Sequence, residues 1–275
     1  SVNSTRKITS AMKMVASAKL HKAQAAIESM LPYERRLHHI LTDFMSNCTE
    51  VTSPFIVKRE VKKVAVVVFA SNTSLCGGFN ANVIRHLVDL LAEYKPLGLE
   101  NILVFPVGKK VADAVRKLGF RIEGDFQHMA DKPSYQEAAD LAADLMKRFL
   151  HGDVDKVELL YNHFKSTASQ ILTRETYLPI DLNNEKKEEE RTIDYILEPS
   201  AEELMQEMLP KVLRMKMFTV LLDSNAAEHA ARTMAMQIAT DNANELLQEL
   251  TVMYNKSRQQ SITNELLDIV GGSMA

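Results

Sequence analysis

The chain lacks tryptophan, and its 275 residues carry only two cysteines, Cys48 and Cys76, in no paired motif. That excludes a disulfide framework and suits a reducing compartment. No run of eighteen apolar residues occurs, so no segment reads as a membrane span. Positive charge is not in excess: the net charge is −3 and the pI about 6.3, which argues against a nucleic-acid binder. The eight histidines are scattered and pair with no carboxylate or cysteine at ligand spacing, so no metal site is expected. No signal peptide is recognisable; the chain opens at Ser1 already inside a helical pattern, and upstream residues are expected to have been lost. Glycine is scarce, with seven of nine between Gly77 and Gly152 and the other two at Gly271 and Gly272. From Lys211 to Val270 there is neither glycine nor proline, a run of sixty residues without a helix breaker.

What fills that run is a rod. Ser200 offers an N-cap and Glu203 a capping-box partner, Pro210 allows a kink or late start, and Gly271-Gly272 predicts the stop. Sixty to seventy residues at 1.5 Å each give roughly 90–105 Å. Ala227, Ala231, Met234 and Ile238 follow a 4-3-4 spacing that Leu246, Leu250 and Met253 resume after Asp241-Asn242, which predicts a coiled-coil seam with a polar register-setting break.

A second long helix is expected over residues 1–48, with a kink at Pro32 and a seam of Ile8, Ala11, Val15, Ala18 and Ala25 flanked by Met12, Ala23, Ile27 and Met30. Residues 1–30 hold five basic side chains and one acidic, net +4; residues 202–275 hold six basic and ten acidic, net −4. Opposite charge favours pairing the two ends as an antiparallel coil. Twelve of the fourteen methionines lie before Ser46 or from Met205 onward, as on surfaces that repack against changing neighbours or as ordinary gap-fillers in a helix pair.

The middle, residues 55–195, reads as a Rossmann-like α/β domain. Val64–Phe69 (VAVVVF) and Ile102–Val107 are continuous apolar runs, as strands buried on both faces require. Helices are expected over 80–94, 109–118 (closed by Gly119) and 134–150, and further strands over 157–164 and 169–178. This alternation predicts a mostly parallel sheet. The charged run NNEKKEEER at 183–191 reads as an exposed loop leading to the rod, whose domain spans 200–275.

One loop looks chemical: SNTSLCGGFN at 71–80, directly after the first strand, where a phosphate would meet a helix N-terminus. It lacks the Lys-Ser/Thr of a P-loop and the third glycine of a dinucleotide turn. Cys76 as a nucleophile has no histidine at diagnostic spacing; His86 lies on the following helix. No enzyme signature emerges.

Three stretches carry a resemblance. STRKITSAMKMVASAKLHKAQ, LCGGFN and AAEHAARTMAMQIATDNANELLQELTVMYNKSRQQSITNELLDIVGG resemble, in order, the opening helix, central-domain motif and C-terminal helix of the gamma subunit of F-type ATP synthases. One departure is Asn72-Thr73-Ser74, where that family usually has Asp-Lys/Arg-Gly. The resemblance implies a central rotor stalk: an antiparallel coiled coil inside a ring of alpha and beta subunits, an α/β domain near the membrane c ring, and contact with a small epsilon-type stalk subunit. It implies no catalytic residue, cofactor or metal of its own, no nucleic acid, and only peripheral membrane association. The location implied is the cytoplasmic face of a bacterial inner membrane, with the matrix face of the mitochondrial inner membrane as the alternative. Met12, Lys13 and Lys19 match the part of the first helix that faces the beta levers. Arg258, Gln259, Thr263 and Glu265 match the upper contact with a beta loop, and Tyr195 and Glu198 match the lower segment near the c ring. On residue type alone these are ordinary coil and solvated positions. A nucleotide-binding α/β enzyme and a generic coiled-coil adaptor are the other readings.

Overall fold

The computed structural model describes residues 1–47, 53–180 and 201–273. In chain order the elements are α1 (Val2–Asn47), β1 (Val64–Phe69), α2 (Phe79–Tyr94), β2 (Ile102–Val107), α3 (Lys109–Leu118), β3 (Arg121–Ile122), α4 (Gln127–Asp131), α5 (Tyr135–Leu150), β4 (Lys156–Ser166), β5 (Ser169–Leu178) and α6 (Ala201–Ser273). Two short 3-10 turns, Lys95–Leu97 and Leu99–Asn101, join α2 to β2. Helix α6 has 73 residues, about 110 Å at 1.5 Å each. Pro210 lies inside it, and it runs past the stop expected at Gly271-Gly272 to Ser273. Likewise α1 continues through Pro32. Ser200, Cys48, Tyr195, Glu198 and the 183–191 charge run lie outside the described residues.

The five strands form one sheet in the order β3-β2-β1-β4-β5, parallel except for the β4–β5 hairpin. Every residue of β1 and β2 is buried, because both faces are covered. On one face Val64, Val66 and Val68 pack with Val83, Leu87 and Leu91 of α2 and Val111 and Val115 of α3. On the other, Ala65, Val67 and Phe69 pack with Leu141, Leu145 and Phe149 of α5 and with Leu213, Met217 and Leu221 of α6. The rod is thus one of the layers covering the sheet. Gly108, at φ +113°, starts α3 where a Cβ would stand 2.2 Å from the Ala70 carbonyl oxygen, so only glycine lets that turn lie against the end of β1.

Helices α1 and α6 pair antiparallel, but along a different seam from the one expected. Arg6 donates to Asn244 Oδ1 (3.4 Å), Thr240 Oγ1 to Thr9 Oγ1 (2.8 Å) and Lys13 Nζ to Gln237 Oε1 (2.5 Å), so the partner number falls as the α1 number rises. Among the described residues of α1, Thr9, Ala16, Leu20 and Ala23 are buried, whereas Ile8 and Val15 are 60% and 59% exposed and Ala11, Ala18 and Ala25 are exposed too. On α6 the residues that meet α1 include Ala226, Ala230, Gln237, Thr240 and Asn244, and the first three stand one residue before the expected Ala227, Ala231 and Ile238. One residue is about 100° of rotation. Ala227 and Ala231 are buried instead against Cys76, Phe79 and Phe164 of the α/β domain, and Met234, Ile238, Leu246, Leu250 and Met253 are exposed. The physical reason is size: alanines and threonines let the backbones approach closely enough for the Thr9–Thr240 hydroxyl bond, and bulkier Ile8 and Val15 are left facing out.

Candidate functional site

The functional surface is the rod and its attachment to the α/β domain, and the attachment is built from side chains on more than one side of α6. Asp223 accepts hydrogen bonds from the Phe164 backbone N–H (2.8 Å) and from His163 Nδ1 (2.7 Å), tying the β4–β5 hairpin to the rod. Asn225 donates to the Ala130 carbonyl at 2.9 Å. Arg232 donates to the Ser74 carbonyl, to Thr73 Oγ1 (2.9 Å) and to Glu228 (2.8 Å), so a single guanidinium fork holds the glycine loop against α6. Beneath it, Cys76 and Phe79 pack on Ala227 and Ala231. Burial raises the Glu228 pKa, although the hydrogen bond and charge of Arg232 oppose the shift. His229 beside it is pushed down to about 4, first by burial and then by Lys19 and Arg232.

The loop that looked like a phosphate cradle is folded on itself. Asn80 accepts from the Ser71 N–H (3.0 Å) and donates to Ser71 Oγ (2.7 Å) and Cys76 Sγ (3.2 Å). Asn72 Oδ1 accepts from the Lys109 N–H (2.8 Å), satisfying a first-turn donor of α3. Ligands of open parallel sheets bind beyond the carboxyl ends of the strands. Here Ser224, Asn225 and Glu228 of α6 stand over Ala70 and Val107 and leave a cavity of about 10 Å3, room for one water at most. Cys76 is buried, and its neighbours are Ser71, Thr73 and Asn80 rather than a histidine.

The residues singled out by resemblance fall in two places. Met12 and Lys13 are half-buried beside α6, with the Lys13 ammonium engaged by Gln237, while Lys19 is exposed. Arg258, Gln259, Thr263 and Glu265 are all exposed on α6; Thr263 Oγ1 donates back to the Gln259 carbonyl at 2.9 Å. The structure does not bring the two groups together: Thr9 is level with Thr240, so Arg258 lies well beyond Ser1 along the rod. Sequence reasoning missed Arg232, Glu228, Asp223 and Asn225. The available signal was the i,i+4 spacing of Glu228 and Arg232; Asp223 and Asn225, two residues apart, point to different sides of the helix and share no such spacing.

A family model described as ATP synthase matches residues 1–275. Among curated relatives, the chain is 81% identical over 277 residues to the ATP synthase gamma chain of Phocaeicola vulgatus, covering 100% of this chain and 96% of that one. It is 64% identical over 278 residues to that of Bacteroides fragilis, with the same coverage. Among solved structures, a chain of the Tetrahymena thermophila mitochondrial ATP synthase central stalk and c ring superposes with a TM-score of 0.60 at 22% identity, covering 85% of this chain and 99% of that chain. A chain of the Euglena gracilis mitochondrial assembly gives 0.54 at 20% identity, covering 99% and 95%. The long paired helices, the α/β domain they carry and these full-length likenesses agree: the chain belongs to the gamma-chain family of the ATP synthases.

Proposed function

We propose that this chain is the central rotor stalk of a rotary ATP synthase, turning between a membrane c ring and a ring of alpha and beta subunits while contributing no catalytic group, cofactor or metal itself. The observation that carries the reading is the uncovered stripe. Ile8 and Val15 on α1, and Met234, Ile238, Leu246, Leu250 and Met253 on α6, are exposed along a continuous rod. Bulky apolar side chains left exposed at helical spacing along a rod suit a surface made for another molecule. The domain clamped to α6 at Asp223, Asn225 and Arg232 gives torque applied to the domain a stiff path into the rod.

Residues 1–48 and 200–275 serve as the shaft and 55–195 as the lower domain. Met12, Lys13 and Lys19 lie toward the beta levers, and Arg258, Gln259, Thr263 and Glu265 form the upper contact. Tyr195 and Glu198 lie near the c ring, and an epsilon-type subunit completes the stalk. No helix among the described residues is long and apolar enough to cross a membrane. The place that fits is peripheral, on the cytoplasmic face of a bacterial inner membrane. The test is to place single cysteines at Ile8, Ile238 and Leu246 and oxidise or crosslink them in membranes carrying the assembled complex. Crosslinks to ring subunits that stop ATP turnover and release it on reduction are expected, with one copy of this chain against several of each ring subunit. Crosslinks confined to this chain, with turnover unaffected, overturn the reading.

A further inference from the structure

The glycine loop is tied to two bodies by different means. Its root belongs to the α/β domain: Asn72 Oδ1 accepts from the Lys109 N–H (2.8 Å), Asn72 Nδ2 donates to the Gln127 carbonyl (2.8 Å), and Asn80 accepts from the Ser71 N–H (3.0 Å). Its tip, residues 73–75, reaches the rod through one side chain. Among the described residues, the hydrogen bonds between the tip and α6 are those of Arg232, from Nη1 to the Ser74 carbonyl and from Nη2 to Thr73 Oγ1 (2.9 Å). Nη2 also donates to Glu228 Oε1 (2.8 Å), one turn back on α6, and the two side chains are both nearly buried. Within the loop the Thr73 carbonyl accepts from Ser71 Oγ (2.6 Å), so the tip is hinged at its root.

The tip is also strained. Among the described residues, Leu75 is the one non-glycine residue with a positive φ, 68°, a conformation that crowds the Cβ of a bulky residue against its own backbone. Its side chain is 60% exposed, so packing does not offset that cost. Behind the tip, between Gly77 and Gly78 on the loop and Ala235 and Ile238 on α6, lies a cleft of about 210 Å3, which leaves the loop room to shift. Cys76 lines the cleft and is buried. A strained segment persists only where its surroundings hold it, and the polar hold on the rod side is a single guanidinium. We propose that residues 73–75 form a strap that latches the α/β domain to the rod and releases as a unit, with Arg232 as the catch and Glu228 as the positioning residue that aims it. Latched, the strap adds to the ties made by Asp223 and Asn225. Released, Leu75 leaves its left-handed conformation, the joint rests on the remaining ties, and the cleft opens onto Cys76. The inference concerns the chain by itself and does not depend on the rotor reading.

Cys76 reports the release through its rate of alkylation by iodoacetamide in the full chain. Mass spectrometry of the peptide that holds it keeps Cys48 out of the signal. Wild type is expected to react slowly, and far faster once unfolded in urea. Arg232→Gln should speed the reaction severalfold. Glu228→Leu should do so in the wild-type background but add nothing in Arg232→Gln, because it acts only through the guanidinium. Glu228→Gln keeps an acceptor oxygen and should fall between wild type and Glu228→Leu. Leu75→Gly removes the strain, whereas Leu75→Ala removes bulk and leaves the strain, so the glycine chain should react severalfold more slowly than the alanine chain. Ordinary loop flexibility predicts the reverse order, since glycine loosens a chain. Circular dichroism checks the fold of the Arg232 and Glu228 variants, and the exposed Leu75 pair tests the strap even where those do not fold. The proposal is overturned by a wild-type rate in a folded Arg232→Gln chain, by an equal effect of Glu228→Leu in both backgrounds, or by a Leu75→Gly chain no slower than Leu75→Ala. Wild type reacting as fast folded as unfolded overturns it too.

Discussion

Two lengths of one helix, α6, are held by different physics. From Leu209 to Ala243 it has neighbours on two sides, the sheet with α5 on one and α1 on the other, and Leu209, Met217, Ala226, Ala227 and Ala230 are fully buried. From Gln248 to Val270 every side chain is exposed. The first length is stabilised by packing. The second has only its own hydrogen bonds and propensity, a marginal source of order for a helix of that length in water. Yet the second length is not written as a polar tail: Leu250, Met253, Ile262, Leu266, Leu267, Ile269 and Val270 are all exposed there. Its sequence answers to a neighbour that is another molecule.

The sharpest way to break this comparison is to make the same kind of deletion in both lengths. Met217→Ala empties a fully buried position against the sheet and is expected to cost about 2–5 kcal/mol. Leu267→Ala, on the bare length, is expected to stay within about 0.5 kcal/mol for the isolated chain. Urea unfolding of both variants measures the contrast; equal losses would mean the bare length is packed in solution.

The next test addresses the seam. Ala230→Leu adds three carbons where Leu20, Ala23 and Ala226 already meet, and should cost about 1–3 kcal/mol by overpacking. Met234→Leu, four residues on and exposed, should be nearly silent. A silent Ala230→Leu would return the seam to the larger apolar stripe.

That stripe is where the sequence misled. VAVVVF and ILVFPV were legible as buried strands because no polar residue interrupts them, and Gly119 marks the end of α3 by its left-handed φ of 78°. Strand β3 and helix α4, at two and five residues, are too short to show any period. The two long helices were legible as helices and as a pair. Their contact face was not, since periodicity finds the bulkiest stripe and assumes it is buried. Here the chain's own partner is met through Ala16, Ala23, Ala226 and Thr240, and the bulky stripe is left outside. The joint to the domain was illegible for another reason: Arg232 and Ser74 lie 158 residues apart, and no local motif encodes their meeting.

A third, smaller effect appears only in acid. His229, buried in the paired length, has its pKa lowered from 6.5 to about 4, by burial first and then by Lys19 and Arg232, while Asp131 opposes. The unfolded chain therefore takes up a proton before the folded one does. The stability this residue contributes is full above about pH 6.5 and is lost as pH falls towards 4. Its neighbour Glu228 runs the other way, since its raised pKa lets the folded state bind a proton first. Comparing wild type with His229→Gln cancels Glu228 and the rest. The substituted chain should lose less stability than wild type between neutral pH and the acid side, as followed by thermal melts. No difference in slope would place His229 in contact with water.

The smallest effect on the isolated chain is expected where the largest effect on the assembly lies. Arg258 and Gln259 are exposed on the bare length, past the reach of α1, and neither touches the seam or the sheet. Replacing both with alanine should leave unfolding within about 0.5 kcal/mol, because no packed neighbour is lost and alanine is the better helix former. In the complex the same pair would present a planar guanidinium fork and a carboxamide to a carboxylate or carbonyl cluster of a beta loop, with Thr263 one turn further along the same face. Those bonds must form and release as the shaft turns, so their loss should lower ATP turnover by the assembled ring severalfold while the chain stays folded. Unchanged stability with reduced turnover marks a surface that acts only in company. If the double variant assembles and turns over like wild type, the contact is not on the coupling path, and the bare length is read by its apolar residues alone.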